Sequence, residues 1–125
     1  PEPPSGREWP VLGASWSRAG TRARGSDLEL VSEEGVASLR QRLGPVPGGT
    51  YALGAWIESD SPGISRVQLS TLDGVAASEL HPGDGRRRFL STTLDLVQAA
   101  PWLDVWLQIL EAGRARFDGV LVCRA

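Results

Sequence analysis

The stretch VASLRQRLGPVPGGTYALGAWIE (residues 36–58) decides the fold. It reads as two strands joined by a turn. In its second half Tyr51, Leu53, Ala55 and Ile57 alternate with Ala52, Gly54, Trp56 and Glu58. A period of two gives one buried face and one that meets solvent or a ligand. The second face holds two tiny residues, then a tryptophan, then a carboxylate: the outline of a shallow trough with an aromatic wall. In the first half Ala37, Leu39 and Leu43 share one face, and Ser38, Arg40 and Arg42 the other. Arg and Gln also suit a helix, so this half alone leaves strand and helix open. The GPVPGG run that follows would stop a helix.

Outward from this stretch the alternation recurs. In residues 27–31 Leu28 and Leu30 point inward. In residues 66–72 Val67, Leu69 and Thr71 point inward and Arg66, Gln68 and Ser70 outward. In residues 104–110 Val105, Leu107 and Ile109 face one way, and Asp104, Trp106 and Gln108 the other. Residues 88–96 and 116–123 add two strands, and residues 9–16 contain a possible first one. SDSPG (59–63) and Asp73-Gly74 are turns, and residues 76–85 read as a long loop. About eight strands at spacings of roughly 8–14 residues predict an all-β antiparallel sandwich or barrel. Residues 1–6 read as a linker remnant and 7–125 as a single domain.

Composition narrows the function. The chain has 125 residues, enough to bury roughly two-thirds of its unfolded surface without staples. Its 15 Gly and 9 Pro suit many short strands. Net charge is −2, so no global field favours nucleic acid or an anionic membrane. No apolar run approaches about 18 residues, which argues against direct membrane insertion. The one cysteine, Cys123, can form no intrachain disulfide, and no Cys or His stands near it at metal-ligand spacing, so it reads as a buried, inert thiol. The one histidine, His81, sits in LHPGDG and reads as a surface loop residue; no nucleophile motif accompanies it. Arg86, Arg87 and Arg88 open an edge strand and read as solvating guards. Five tryptophans exceed what a small core needs. Trp9 and Trp16 read as anchors of the N-terminal strand, and Trp102, after Pro101, as packing against the sandwich end, with a place on the rim of a ligand groove as the alternative.

The strand ending at Leu43, followed by Pro47-Gly48-Gly49-x-Tyr51-x-Leu53-x-Ala55-Trp56-Ile57, resembles the jelly-roll carbohydrate-binding modules appended to xylanases and glucanases. More broadly it is similar to galactose-binding-like sandwiches. The closing Phe117-Asp118-Gly119-Val120-x-Val122 resembles their last strand. The resemblance implies a jelly-roll β-sandwich whose consecutive strands alternate between two sheets. It groups the strands around Leu30, Trp56, Gln68 and Trp106 in one sheet, and those around Leu39, Leu94 and Val120 in the other. Trp56, Trp106, Gln68, Gln108, Arg66, Glu58, Asp104 and Glu29 would then project from one concave face. There two indoles would stack on sugar rings while the polar groups read hydroxyls.

The function implied is non-catalytic binding of a polysaccharide or glycan, by an accessory domain of an extracellular, periplasmic or cell-surface protein. The alternative is a structural or protein-interaction sandwich packed against other domains of a parent chain. No carboxylate pair is fixed at glycosidase separation, so an enzyme is not expected. No cofactor is implied beyond a possible structural calcium at Asp118. The acidic N-terminal motif that usually accompanies such a site is missing, and hydrogen bonding of Asp118 to loop amides is the alternative.

Overall fold

The computed structural model describes residues 7–9, 21–24 and 27–124. The linker expectation for residues 1–6 and the anchoring roles of the Trp9 and Trp16 side chains lie outside the described parts. Ten strands run in chain order: β1 (Arg7–Trp9), β2 (Thr21–Arg24), β3 (Asp27–Ser32), β4 (Ala37–Leu43), β5 (Gly49–Glu58), β6 (Ser65–Ser70), β7 (Val75–Ala77), β8 (Arg87–Leu96), β9 (Leu103–Ile109) and β10 (Gly113–Arg124). They form two antiparallel sheets. A six-stranded sheet has the order β2-β3-β10-β5-β8, with β1 also on β10, and a four-stranded sheet the order β4-β9-β6-β7. This is the all-β jelly-roll sandwich that the sequence predicts.

The alternation of β5 places Tyr51, Leu53, Ala55 and Ile57 in the interior, each fully buried. Leu39 of β4, Val67 and Leu69 of β6, and Leu103, Val105, Leu107 and Ile109 of β9 belong to the same core. Each fully buried aliphatic side chain of this size contributes about 1.5–3 kcal/mol, so this interior dominates stability. The Tyr51 hydroxyl donates to the Pro47 carbonyl at 2.6 Å, which satisfies the one polar atom the ring takes inside.

The ambiguous segment at residues 37–43 is strand β4, in continuous register with β9 from Ala37↔Ile109 to Leu43↔Leu103. The pairing partner settles what propensity left open. The loop expected over 76–85 starts later, because residues 75–77 form β7 against β6. The Asp73-Gly74 turn closes that hairpin, with the Thr71 amide donating to the Gly74 carbonyl at 2.8 Å.

In β10 one extra residue is inserted between Asp118 and Leu121 relative to β5. Gly119, at φ +59°, supplies the left-handed conformation this bulge needs. The insertion flips the phase of the strand, so Phe117 and Val122 both reach the core although five positions separate them.

The expected grouping of strands is corrected. From β3 onward the chain alternates between sheets except at the β6–β7 hairpin. The strands of Leu30, Trp56, Leu94 and Val120 lie in the six-stranded sheet, and those of Leu39, Gln68 and Trp106 in the four-stranded one. Trp56 and Trp106 therefore stand on opposite outer faces of the molecule.

Candidate functional site

The register of β4, β9 and β6 builds a lattice on the outer face of the four-stranded sheet. One row runs Ser38–Gln108–Arg66, the next Arg40–Trp106–Gln68, and the third Arg42–Asp104–Ser70. Strands about 4.8 Å apart, with same-face residues roughly 6.8 Å apart along each strand, make this a polar surface with one indole at its centre. Five of the eight residues singled out from sequence meet here: Trp106, Gln68, Gln108, Arg66 and Asp104.

Hydrogen bonds hold the lattice in place. The Trp106 indole N–H donates to Ser70 Oγ at 2.9 Å, which leans the ring across β6. The Arg40 guanidinium lies 5.7 Å from the Trp106 ring centroid, in the range of cation–π attraction. Arg66 donates to Gln108 Oε1 at 2.9 Å and to Gln68 Oε1 at 3.3 Å. With each Oε1 accepting from Arg66, the NH2 group is the donor that each amide has for a ligand.

Asp104 behaves differently from the expectation. It is 2% exposed, and both carboxylate oxygens accept from Arg42, at 2.8 and 3.0 Å. Arg40 lies 3.9 Å from the same carboxylate. Asp104 is thus a foundation for the arginines rather than a group presented to a ligand. Its hydrogen bond and charge hold the Arg42 guanidinium above its ordinary pKa. Arg42 also stacks on Trp102, 4.4 Å from the ring centroid, so Trp102 borders this face. Arg40, Arg42 and Ser70 were absent from the sequence-derived site. The outward parity of all three was legible; the strand of Arg40 and Arg42 was assigned to the other sheet, whereas that of Ser70 was grouped correctly with Trp106.

Trp56, Glu58 and Glu29 lie on the opposite sheet and cannot join this surface. Trp56 is 40% exposed and lines a small surface pocket with Glu58, Arg87, Arg116 and Asp118. Phe89 meets Trp56 edge-on, with centroids 5.4 Å apart and planes at 62°, and the Arg87 guanidinium lies 5.0 Å from the Trp56 ring centroid. The trough expected from Ala52 and Gly54 is filled. The Phe89 ring lies over Gly54 so closely that a Cβ there would overlap it. Glu58 lies 3.7 Å from Arg116, which stands between Glu58 and Glu29 in the sheet register.

Asp118 accepts from Arg87 at 3.1 Å and from the Gly119 amide at 2.8 Å. A guanidinium and an amide are donors, not ligands, and the nearby Arg116 adds a second cation. Among the described residues no cluster of three His, Cys, Asp or Glu is placed to hold a metal. The donor set at Asp118 does not fit a calcium ion.

His81 is fully buried, against the surface position expected of it. Its Nδ1 accepts from the Gly83 amide at 2.8 Å, so the ring proton sits on Nε2 and is donated to the Arg86 carbonyl at 2.7 Å. The imidazole cross-links the 81–86 turn with both its nitrogens, while the His81 and Ser78 amides tie the connection to the Ser65 and Val67 carbonyls of β6. Cys123 is buried. Arg88 pairs with Asp84, whose pKa falls from 3.8 to about 2 mainly through that hydrogen bond. Among the described residues, no helix is long and apolar enough to cross a membrane.

No protein-family model matches the chain, and no curated protein sequence does. Solved structures do. A carbohydrate-binding module from Cellvibrio mixtus lichenase 5A, in complex with cellotriose, aligns over 92% of this chain and 95% of its own, with TM-score 0.60 at 12% identity. TmCBM61 in complex with β-1,4-galactotriose aligns over 79% of this chain and 70% of its own, with TM-score 0.57 at 17% identity. The CBM22-1–GH10 modules of Clostridium thermocellum xylanase 10B, complexed with xylohexaose, give TM-score 0.64 at 14% identity over 94% of this chain. This chain spans 27% of that xylanase chain, and 15% of a bacteriophage CBA120 tailspike chain that it also resembles, with TM-score 0.59. At these identities the likeness is one of fold.

Proposed function

We propose that the outer face of the four-stranded sheet binds a carbohydrate, without catalysis, through stacking on Trp106 and hydrogen bonds from Gln68, Gln108, Arg40 and Arg66. The observation that carries this reading is the row Arg40–Trp106–Gln68. It sets one indole, anchored at its N–H, among planar donors on a flat support. A pyranose presents an apolar C–H face to such a ring and a rim of hydroxyls to such donors. The face offers no catalytic pair, since its one carboxylate, Asp104, is committed to Arg42. The fold it shares with modules solved with cellotriose and galactotriose supports the same reading. So does the occurrence of the fold as one part of a longer xylanase chain. We place the domain accordingly outside the cytoplasm, as an accessory unit that holds a longer protein on its glycan.

The test is intrinsic fluorescence of the 125-residue chain titrated with soluble xylan, β-glucan, galactan and polygalacturonate. One of these shifts the emission. Trp106→Ala weakens that binding about 30-fold or more, the scale of a central aromatic anchor, whereas Trp56→Ala leaves it in place. Loss through Trp56→Ala alone, or silence with every glycan together with self-association of the chain, overturns the proposal.

A further inference from the structure

Resting on that reading, we infer that the glycan bound by this face is acidic, with carboxylate or sulfate groups on its sugar rings. The argument starts from charge. The nine outward positions of β4, β9 and β6 hold three arginines, Arg40, Arg42 and Arg66, and one carboxylate, Asp104. Asp104 is consumed by Arg42 in a two-oxygen pair. Arg40 meets the same carboxylate more distantly, at 3.9 Å. Arg66 is bonded to the neutral amides of Gln68 and Gln108. Among the described residues it forms no ion pair. The face therefore carries three guanidiniums against one carboxylate, an excess of positive charge in a chain whose net charge is −2.

Their placement matters as much as their number. Arg40 stands beside Trp106 in its own row on β4, and Arg66 stands on the other flanking strand, β6, in the adjacent row. A sugar ring stacked on the indole has a cation on either side. Each guanidinium is a planar fork that matches a carboxylate or sulfate through two parallel N–H···O bonds. A neutral glycan would leave both charges partly desolvated and without a counter-charge, an unfavourable arrangement that an anionic substituent relieves. The hydrogen bonds that Arg66 donates to the Gln68 and Gln108 side-chain oxygens hold it in position without neutralising it, so its charge stays available to a ligand.

The experiment is calorimetric titration of the 125-residue chain with polygalacturonate, fully methyl-esterified polygalacturonate, dextran sulfate and neutral galactan. A polyanion binds at least about tenfold more tightly than its uncharged counterpart, and raising salt from about 0.05 to about 0.5 M erodes most of that margin. Binding of polygalacturonate assigns carboxylate recognition, and preference for dextran sulfate assigns a sulfate ester; either supports the inference. Arg66→Gln and Arg40→Gln each reduce affinity for the polyanion about tenfold, a larger loss than either causes with neutral galactan. Arg114→Gln removes the same charge from the opposite sheet and changes nothing. Neutral galactan and esterified polygalacturonate bound as tightly as both polyanions, or equal loss from Arg114→Gln, overturns the inference and leaves carbohydrate binding standing. No binding of any of these glycans, charged or neutral, overturns both.

Discussion

The indole N–H of Trp106 donates to the hydroxyl of Ser70 at 2.9 Å, so a serine on the neighbouring strand fixes the tilt of the aromatic ring. A stacking platform works best when its ring does not have to be ordered on binding. Ser70→Ala frees the indole to swing. It weakens glycan binding by about 1 kcal/mol, roughly fivefold, the scale of one neutral hydrogen bond. Because Ser70 is partly exposed, the melting temperature hardly moves. Ser70→Thr keeps the acceptor and retains the affinity. Calorimetry on the three proteins checks this; an unchanged Kd for Ser70→Ala would show that the ring is oriented by something else.

Much of the inside–outside pattern was legible because it is local. Every alternating residue of β5, β6 and β9 singled out for the interior is buried in the core, while Thr71 falls just past β6; the 73–74 turn lies between strands, as does the 44–49 turn up to Gly49, which opens β5. The sheet to which each strand belongs is a non-local fact. Trp56 and Trp106 show the same outward parity, yet the core lies between them. Their separation is fixed by hydrogen bonding of β5 to β8 and β10, and of β9 to β4 and β6. Parity could not show that, and the error carried Arg40 and Arg42 out of the expected site. His81 misled for a related reason. A Pro-Gly-rich hexapeptide reads as exposed, and its burial depends on the Gly83 amide and the Arg86 carbonyl, which close around the ring.

Gly54 lies beneath the ring of Phe89 on the outer face of the six-stranded sheet. Gly54→Ala drives its new methyl group into the Phe89 ring, and overpacking of this kind costs about 1–3 kcal/mol. The Phe89→Ala background removes the obstacle. In that background Gly54→Ala costs much less, so the double-mutant cycle shows strong coupling. Urea denaturation of the four proteins measures it. Additive effects would mean that the Phe89 ring does not rest on Gly54.

Gln41 takes an inward position on β4 between Leu39 and Leu43, is 9% exposed, and its Oε1 has no hydrogen-bond partner. A buried carbonyl oxygen without a donor is destabilising relative to an apolar group of the same shape. Gln41→Met preserves length and flexibility and removes the amide. It raises stability by about 1 kcal/mol and the melting temperature by roughly 3–5 °C. Glycan binding is unaffected, because Gln41 points away from the Trp106 face. Thermal melts monitored by circular dichroism check the sign; a lower melting temperature would show that the amide is satisfied in solution.

Asp84 gives the molecule one acid-sensitive contact with a definite pH window. Its pKa falls from 3.8 to about 2, first through the hydrogen bond from Arg88, with the Arg86 amide and the Arg88 charge adding to it. A carboxylate whose folded pKa is depressed stabilises the fold above its unfolded value and loses that contribution as pH falls through the folded value. The contribution is therefore whole above about pH 5 and gone below about pH 2. Asp84→Asn removes the charge and keeps an oxygen for the Arg86 amide. The variant melts below the parent protein at neutral pH, and the two curves converge between pH 5 and about 2. Other carboxylates titrate in the same range but cancel in the difference. Both groups are solvent-exposed, so added salt narrows the gap as well. Melting temperatures of the pair across pH 2–7 test this, and a gap that stays constant down to pH 2 would dissociate Asp84 ionisation from folding.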